Sequence, residues 1–313
     1  MDIGIIGLGH WGRNYLKILK SKKQIKNIYC YDLKKIDDLA SEKIIVIKNL
    51  RILYSNNIKI VFISTPAKTH FKLLKDFMRF NKKIFIEKPV CLKQSEINFL
   101  RSTYRDYKKL IMVDHTFLYH PAIIKIKELL KGSLLKDVKY IESIRKHFGL
   151  FRDDVDALWD LIPHDISICN YIFGERPTSG TLIASSIVTN KIDLATVKLN
   201  YKNNLFAIIH LSWANIFKER SLFINSLNTK ILFDDLSKDK LSRCDYNYDN
   251  NYKLFRSKQL SYYKKKNIKI NKSMPLNNII DVFLKSNRKT KVISDLNFGI
   301  NICEDILKIK KLS

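Results

Sequence analysis

Acidic residues are scarce in this chain. Thirty Asp and Glu stand against 57 Lys and Arg in 313 residues, a formal net charge of +27 at pH 7. An excess of that size raises three kinds of partner: nucleic acid, an acidic membrane surface or an anionic substrate. Yet basic residues fall on almost every predicted helix and loop, and the longest all-basic run is Lys264-Lys265-Lys266. That spread describes a solvated basic surface, so no specific nucleic-acid partner is expected. Cysteines are also few. Cys30, Cys91, Cys169, Cys244 and Cys303 are odd in number and widely spaced, with no C-x-x-C pair. This argues against a disulfide framework and a structural zinc site, and reduced thiols in a cytoplasmic protein are expected. No apolar run approaches the roughly 18 residues of a membrane span, so no membrane partner is expected. A strand beginning at Asp2 leaves no room for a signal peptide. Internal repeats, a Gly/Ser linker and a low-complexity tail are absent too. What is present is length and apolar content: 313 residues, 46% of them hydrophobic, suffice for two domains with real cores.

The chain is organised around Phe85-Ile86-Glu87-Lys88-Pro89-Val90. Lys83-Ile84-Phe85-Ile86 reads as a buried parallel strand, which Pro89 stops. Lys88 then falls just past the carboxyl end of the strand, where open α/β sheets place their ligands; the competing reading is a solvated loop lysine. Upstream, the apolar run Ile3-Gly4-Ile5-Ile6-Gly7 reads as a strand, followed by Gly7, Gly9 and Gly12 in G-x-G-x-x-G spacing. In that pattern the first glycine permits a tight turn, the second lets backbone approach a pyrophosphate, and the third lets a helix pack closely on the strand. A helix over 12–20 offers its amino end to the phosphates. A second strand, Ile28-Tyr29-Cys30-Tyr31, ends in Asp32, 20 residues past Gly12. Asp32 stands where an acid binds the adenine ribose hydroxyls, or else caps a helix starting at Leu33. Lys34 and Lys35 leave both NAD and NADP open, because a cation there can meet a 2′-phosphate.

The alternation continues with strands at 44–46 and 58–63, the latter ending in Ser64-Thr65-Pro66. A helix over 68–80, the strand before Glu87, a helix over 95–107 and a strand over 110–113 follow. This rhythm predicts a doubly wound parallel sheet with right-handed crossovers. His70 reads either as a cofactor contact or as a solvated helix residue. After about Phe117 the rhythm changes: a helix over 121–131, a long strand over 138–147, and a helix over 156–173. Asp160 and His164 lie one turn apart on one face of that last helix. Pro163 predicts a kink or restart there, placing His164 and Asp165 at a helix amino end. Strands at 181–188, 195–201, 205–212, 219–225 and 230–234, joined in part by the turns Lys202-Asn203-Asn204 and Asn225-Ser226-Leu227-Asn228, predict a large, mostly antiparallel sheet. Residues 236–272 are polar and tyrosine-rich and resist assignment except as excursions from that sheet; 275–286 and 297–310 read as closing helices. The fold class is therefore α/β, with a dinucleotide-binding domain over 1–118 and an α+β domain over 119–313.

Taken together, Gly7-Leu8-Gly9-His10-Trp11-Gly12-Arg13-Asn14, Thr65-Pro66, Glu87-Lys88-Pro89 and the Asp160/His164 pair resemble the Gfo/Idh/MocA oxidoreductase family across essentially the whole chain. His115-Thr116-Phe117-Leu118-Tyr119-His120-Pro121-Ala122 and Leu158-Trp159-Asp160-Leu161-Ile162-Pro163-His164-Asp165 resemble one branch, which oxidises C3 of UDP-linked N-acetylated sugars or their uronates. The resemblance implies a Rossmann-type first domain that binds NAD, with NADP as the alternative. It implies a second domain for substrate binding and assembly into a dimer or tetramer. The implied reaction is hydride transfer between a sugar ring hydroxyl and nicotinamide, in surface-polysaccharide sugar biosynthesis. The implied catalytic trio is Lys88, Asp160 and His164, and no metal is implied. A histidine with an ordinary pKa of about 6.5 suits removal of a hydroxyl proton, and a lysine can stabilise the developing alkoxide; which of the two takes the proton is open. Implied cofactor contacts are Gly7, Gly9, Trp11, Gly12, Arg13, Asn14, Asp32, Ser64, Thr65, Pro66, His70, Glu87 and Lys88. Implied substrate contacts are His115, Arg145, Arg152 and Asp165, while the competing reading of the arginines, and of His147 beside them, is solvated strand and loop cations. Asp114, His120 and Asp156 stand where the branch has glycine, asparagine and asparagine, which leaves the substrate open. A free polyol or inositol is the alternative substrate, and a non-catalytic NAD-binding sensor the alternative class.

Overall fold

The structure, a computed structural model, describes residues 1–34, 39, 41–131, 137–249 and 259–311. Lys35 and residues 250–258 of the tyrosine-rich stretch lie outside the described residues. The chain forms two units. The first comprises Met1–Thr116 with Leu276–Leu307, the second Phe117–Pro275 with Lys308–Ser313.

In the first unit six short strands form one sheet: β1 (Asp2–Ile6), β2 (Ile28–Tyr31), β3 (Ile44–Val46), β4 (Ile58–Ile63), β5 (Lys83–Ile86) and β6 (Ile111–Val113). Their order is β3-β2-β1-β4-β5-β6, and every neighbouring pair is parallel. Helices α1 (His10–Lys20), α2 (Ala67–Arg79) and α3 (Gln94–Asp106) supply crossovers. This is the strand order of dinucleotide-binding sheets, with the direction of winding reversing between β1 and β4. Because all six strands run the same way, their carboxyl ends share one edge.

By sequence alone, everything after 118 belongs to the second domain. The structure instead returns Leu276–Leu307 to the first unit. The physical cause is an aromatic core. Phe283, on helix α6 (Pro275–Lys285), packs 5.4 Å from Phe62 and 5.2 Å from Phe85, and both meet Tyr15 at 5.9 and 5.5 Å. Residues just before helix α7 (Leu296–Lys310) also bond to β6, where Val113 N–H donates to the Ser294 carbonyl.

The second unit holds α4 (Pro121–Leu129), β7 (Val138–Phe148), α5 (Ala157–Phe173) and β8 (Ser179–Ser185). It continues with β9 (Leu194–Asn200), β10 (Phe206–Ser212), β11 (Ala214–Ser226), β12 (Thr229–Asp234), β13 (Leu241–Asp249) and β14 (Gln259–Asn267). The sheet order is β14-β13-β12-β11-β7-β10-β9-β8. All neighbours are antiparallel except β7 and β10. The β9–β10 turn is a primed turn, with Asn203 and Asn204 at φ 54° and 60°; asparagine tolerates that left-handed region better than most residues. Residues 236–272 were expected only as excursions, but they supply the two strands β13 and β14.

Helix α5 corrects one expectation. It runs unbroken through Pro163, so His164 and Asp165 lie in its interior and not at a restart. Proline removes one ladder bond, and burial of Leu158, Ile162, Ile166 and Cys169 on the helix offsets that loss. No helix among the described residues is long and apolar enough to cross a membrane. Phe283→Ala should lower the stability of the first unit by about 3–5 kcal/mol, the usual loss for a buried phenylalanine. Equilibrium urea denaturation measures this, and an unchanged midpoint would remove α6 from the core.

Candidate active site

The glycine loop joins β1 to α1, and its glycines have different causes. Gly7 has φ +85°, and a Cβ there would stand 2.7 Å from the Ser64 carbonyl oxygen. A Cβ on Gly12 would stand 1.9 Å from the Gly7 carbonyl oxygen, so α1 packs too closely on the turn for any side chain. Gly9 is unlike both. Its φ of −67° suits any residue, and a Cβ there would meet nothing within 4 Å. The missing side chain at Gly9 therefore leaves space outside the protein. No side chain caps the amino end of α1, and no acid lies in its first turn. Together these fit a bound phosphate.

Asp32 ends β2 and accepts two main-chain hydrogen bonds. Leu8 N–H donates to Oδ2 at 2.6 Å, and Lys34 N–H donates to Oδ1 at 2.8 Å. Asp32 thus steadies the glycine loop as well as its own turn. Arg13 adds a brace, its Nε donating to the Leu8 carbonyl at 3.1 Å. Trp11 is 40% exposed, edge-on to His10, and Asn14 is half-buried. Ser64, after β4, donates from Oγ to the Gly7 carbonyl at 2.8 Å, and the Thr65 and Thr69 hydroxyls meet at 2.7 Å. Pro66 is exposed at the start of α2. His70 is only 1% exposed, which overturns the solvated alternative. Its ring nitrogens face the Pro89 and Thr65 carbonyls at 2.8 and 2.7 Å, tying the loops after β4 and β5 together.

The same sheet edge carries Glu87 and Lys88 after β5, and Asp114 and His115 after β6. Lys88 is half-buried and joined to Pro89 by a cis peptide bond. Glu87 and Asp114 are buried, and both contact the Tyr15 hydroxyl, at 2.6 Å for Asp114. Burial, then the neighbouring Asp114 charge, pushes the Glu87 carboxyl up to about 8. Burial likewise raises Asp114, while Thr116 and Tyr15 hydrogen bonds hold it down. His115 is 1% exposed, and burial followed by the Lys88 charge lowers it to about 3, so its ring is neutral. Tyr15 is a site residue that sequence reading passed over, because its position beside Leu16 and Leu19 is that of an ordinary core aromatic.

In the second unit α5 carries Asp160 and His164 on one face, half-buried. His164 lies edge-on to Phe117 with ring centroids 5.3 Å apart. Arg152 NH1 reaches Asp160 at 3.6 Å, and its Nε and NH2 engage Asp154 at 2.9 and 3.0 Å. Arg145 is buried and bidentate to Asp165, at 2.9 and 3.1 Å, with its guanidinium 4.5 Å from the Phe117 ring centroid. Those two side chains therefore satisfy each other within the protein. His147 is half-buried, and burial lowers its pKa. Asp156 accepts from Trp159 N–H at 2.8 Å and caps α5, while Lys310 donates to it at 2.7 Å. His120 caps α4, its Nδ1 accepting from Ala122 N–H at 3.0 Å. All five cysteines are free thiols.

Residues 1–115 match the family model GFO_IDH_MocA, described as an oxidoreductase family with an NAD-binding Rossmann fold. The Gfo/Idh/MocA match covers the first-unit segment that carries the glycine loop and Lys88. UDP-N-acetylglucosamine 3-dehydrogenase of Acidithiobacillus ferrooxidans is 25% identical over 209 residues, 66% of this chain and 65% of that protein. Inositol 2-dehydrogenase of Rhizobium meliloti is 25% identical over 148 residues, 44% of this chain and 43% of that one. The matches thus span less than two thirds of these relatives' own length. The solved structure of the Acidithiobacillus ferrooxidans enzyme aligns at a TM-score of 0.81 and 21% identity, covering 100% of this chain and 97% of that one. GenD2 from gentamicin A biosynthesis, solved with NAD, aligns at 0.76 and 15% identity, covering 100% and 93%. At these identities the structures establish a shared fold.

The two glycines at the start of α1 should respond differently to a methyl group. Gly9→Ala should fold with unchanged thermal stability, while Gly12→Ala should lose several kcal/mol or fail to fold, as severe overpacking does. Thermal melts of both variants check this. Equal losses would mean that Gly9 too is held by packing within the protein.

Proposed function

We propose that this chain is an NAD-dependent dehydrogenase moving a hydride between a ring hydroxyl of a nucleotide-linked sugar and nicotinamide. One observation carries the reading: the glycine loop, Ser64-Thr65, Glu87-Lys88 and Asp114-His115 all end parallel strands at one sheet edge. Sheets of this order hold their ligands at that edge. The open space at Gly9 and the uncapped amino end of α1 suit a dinucleotide pyrophosphate, held by Gly7, Gly9, Trp11, Gly12, Arg13 and Asn14. Asp32 takes the ribose hydroxyls and favours NAD over NADP, and Ser64, Thr65, Pro66, His70 and Glu87 complete the cofactor side. Bound nicotinamide supplies the hydride acceptor or donor.

The chain's own residues manage the proton and the charge. Lys88 donates a hydrogen bond to the reacting oxygen and stabilises negative charge as it develops there. His164 accepts the hydroxyl proton in one direction and returns it in the other. Asp160 orients His164, and Arg152 fixes Asp160 from the other side. His115 and Arg152 meet the substrate, and the Arg145–Asp165 pair holds α5 on β7. The sugar-nucleotide substrate rests on the likeness to UDP-N-acetylglucosamine 3-dehydrogenase, extended over 209 residues. The inositol 2-dehydrogenase likeness makes a free polyol the second reading.

Lys88→Ala should cut turnover by at least a hundred- to a thousand-fold, the usual cost of an oxyanion donor. His164→Ala should lose about a hundred- to ten-thousand-fold and remove an ionisation near neutral pH from the rate profile. NADH affinity should stay within about twofold in both. If the two groups serve one oxygen, the double variant should lose less than the product of the single losses. Full additivity, or single losses under tenfold, would sink the shared role. For the substrate, UDP and UDP-sugars at about 100 times Kd should stabilise the protein by about 2.7 kcal/mol. A thermal shift with inositol and none with UDP would transfer the assignment to the polyol.

A further inference from the structure

Two acids and a phenol are enclosed together beside Lys88. The Tyr15 hydroxyl hydrogen-bonds Glu87 Oε1 and lies 2.6 Å from Asp114 Oδ2. A phenol has one proton to donate, and an ionised carboxylate has none. Two contacts to one phenol oxygen therefore need one proton more than the phenol brings, and a carboxyl must hold it. Water is kept from this arrangement, since Tyr15, Asp114 and Glu87 are 0%, 2% and 7% exposed. Two bare carboxylates so close together in a dry site are strongly disfavoured.

The groups that face the pair come from every element around it. Tyr15 projects from α1, and the Thr116 hydroxyl donates to Asp114. The Lys88 ammonium charge lowers both carboxyls. His115, next to Asp114, is neutral. Lys88 is therefore the one positive charge among these groups.

We propose that Glu87 and Asp114 hold one proton between them through Tyr15, and that the single negative charge left on the pair positions the Lys88 ammonium. The proposal rests on the reading of Lys88 given above, and it makes Glu87, Asp114 and Tyr15 positioning residues. With one proton held, the pair carries −1 against the +1 of Lys88, and the cluster is neutral. Burial, then the Asp114 charge, pushes the Glu87 carboxyl up to about 8, and burial raises Asp114 too, so the proton belongs to the pair. As pH rises through that value the proton passes to bulk solvent and the pair carries two negative charges. Lys88 is then drawn to the pair and away from the substrate oxygen. Asp114→Asn removes the like charge, the second cause of that shift after burial, so Glu87 gives up its proton at lower pH than in the wild type.

The test uses the full chain without substrate, so it does not depend on turnover. Infrared difference spectra should show the carbonyl stretch of a protonated carboxylic acid at neutral pH in the wild type. That band should vanish as pH rises through about 8 in the wild type and at lower pH in Asp114→Asn and Glu87→Gln. NMR of protein with labelled lysine side chains, with the Lys88 signal assigned through Lys88→Arg, should show it stepping with the band in each protein, at lower pH in Asp114→Asn than in the wild type. Should Asp114→Asn not fold, Glu87→Gln serves in its place. No protonated-carboxyl band in the wild type overturns the shared proton. The band with a Lys88 signal that ignores it overturns the link to Lys88. Loss of turnover on UDP-sugars with both spectroscopic results intact would instead count against the proposed substrate or reaction.

Discussion

At Gly12 there is no room for a methyl group, and much of the first unit follows from that contact. A Cβ there would fall 1.9 Å from the Gly7 carbonyl oxygen, so α1 leaves the β1 turn at the closest approach two backbones allow. The closeness aims the free N–H groups of the helix at the sheet edge. It also sets Tyr15, one turn further on, against Phe62 and Phe85, and brings its hydroxyl to Glu87 and Asp114. One helix thus forms the glycine turn with its first turn and places the Tyr15 hydroxyl against two buried carboxyls with its second.

The second unit solves a different problem, that of holding a proline-containing helix in register. Asp156 caps α5 and is bound by Lys310. Asp165 is clamped by Arg145 and by the Ser143 hydroxyl, and Asn170 accepts from the Tyr201 hydroxyl at 2.8 Å. These anchors are spaced along the helix on either side of Pro163, so the lost backbone bond does not become a hinge. Asp160 and His164 consequently keep the one-turn spacing that puts them on a common face. The Arg145–Asp165 pair is almost fully buried, and removing one partner would strand the other's charge at a cost of about 3–5 kcal/mol.

Charge behaves differently at the surface and within. The chain carries +27, yet inside it buried Arg145 pairs with Asp165, half-buried Asp235 meets both Lys240 and Arg220, and buried Lys82 donates to the Ser55 and Ile58 carbonyls. The excess is therefore carried by solvated lysines, which interact weakly at physiological salt.

The sequence by itself determined the six parallel strands, the glycine turn and the pairing of Asp160 with His164. Buried parallel strands are unbroken apolar runs stopped by Gly, Asp or Pro, and helical spacing is a property of the backbone, so both can be read locally. Other features were settled only in three dimensions. The return of Leu276–Leu307 to the first unit depends on Phe283 meeting rings more than 190 positions away in the chain. The strands β13 and β14 lack strong apolar alternation and form because a neighbouring strand offers its hydrogen bonds. Arg145 and Asp165 each read as a free charge until the fold sets them side by side. Tyr15 reads as core until its hydroxyl is placed between two carboxyls from strands 72 and 99 residues further on. A local pattern fixes what a segment does with its own backbone, whereas the partner of a side chain is decided by whichever distant segment folds against it.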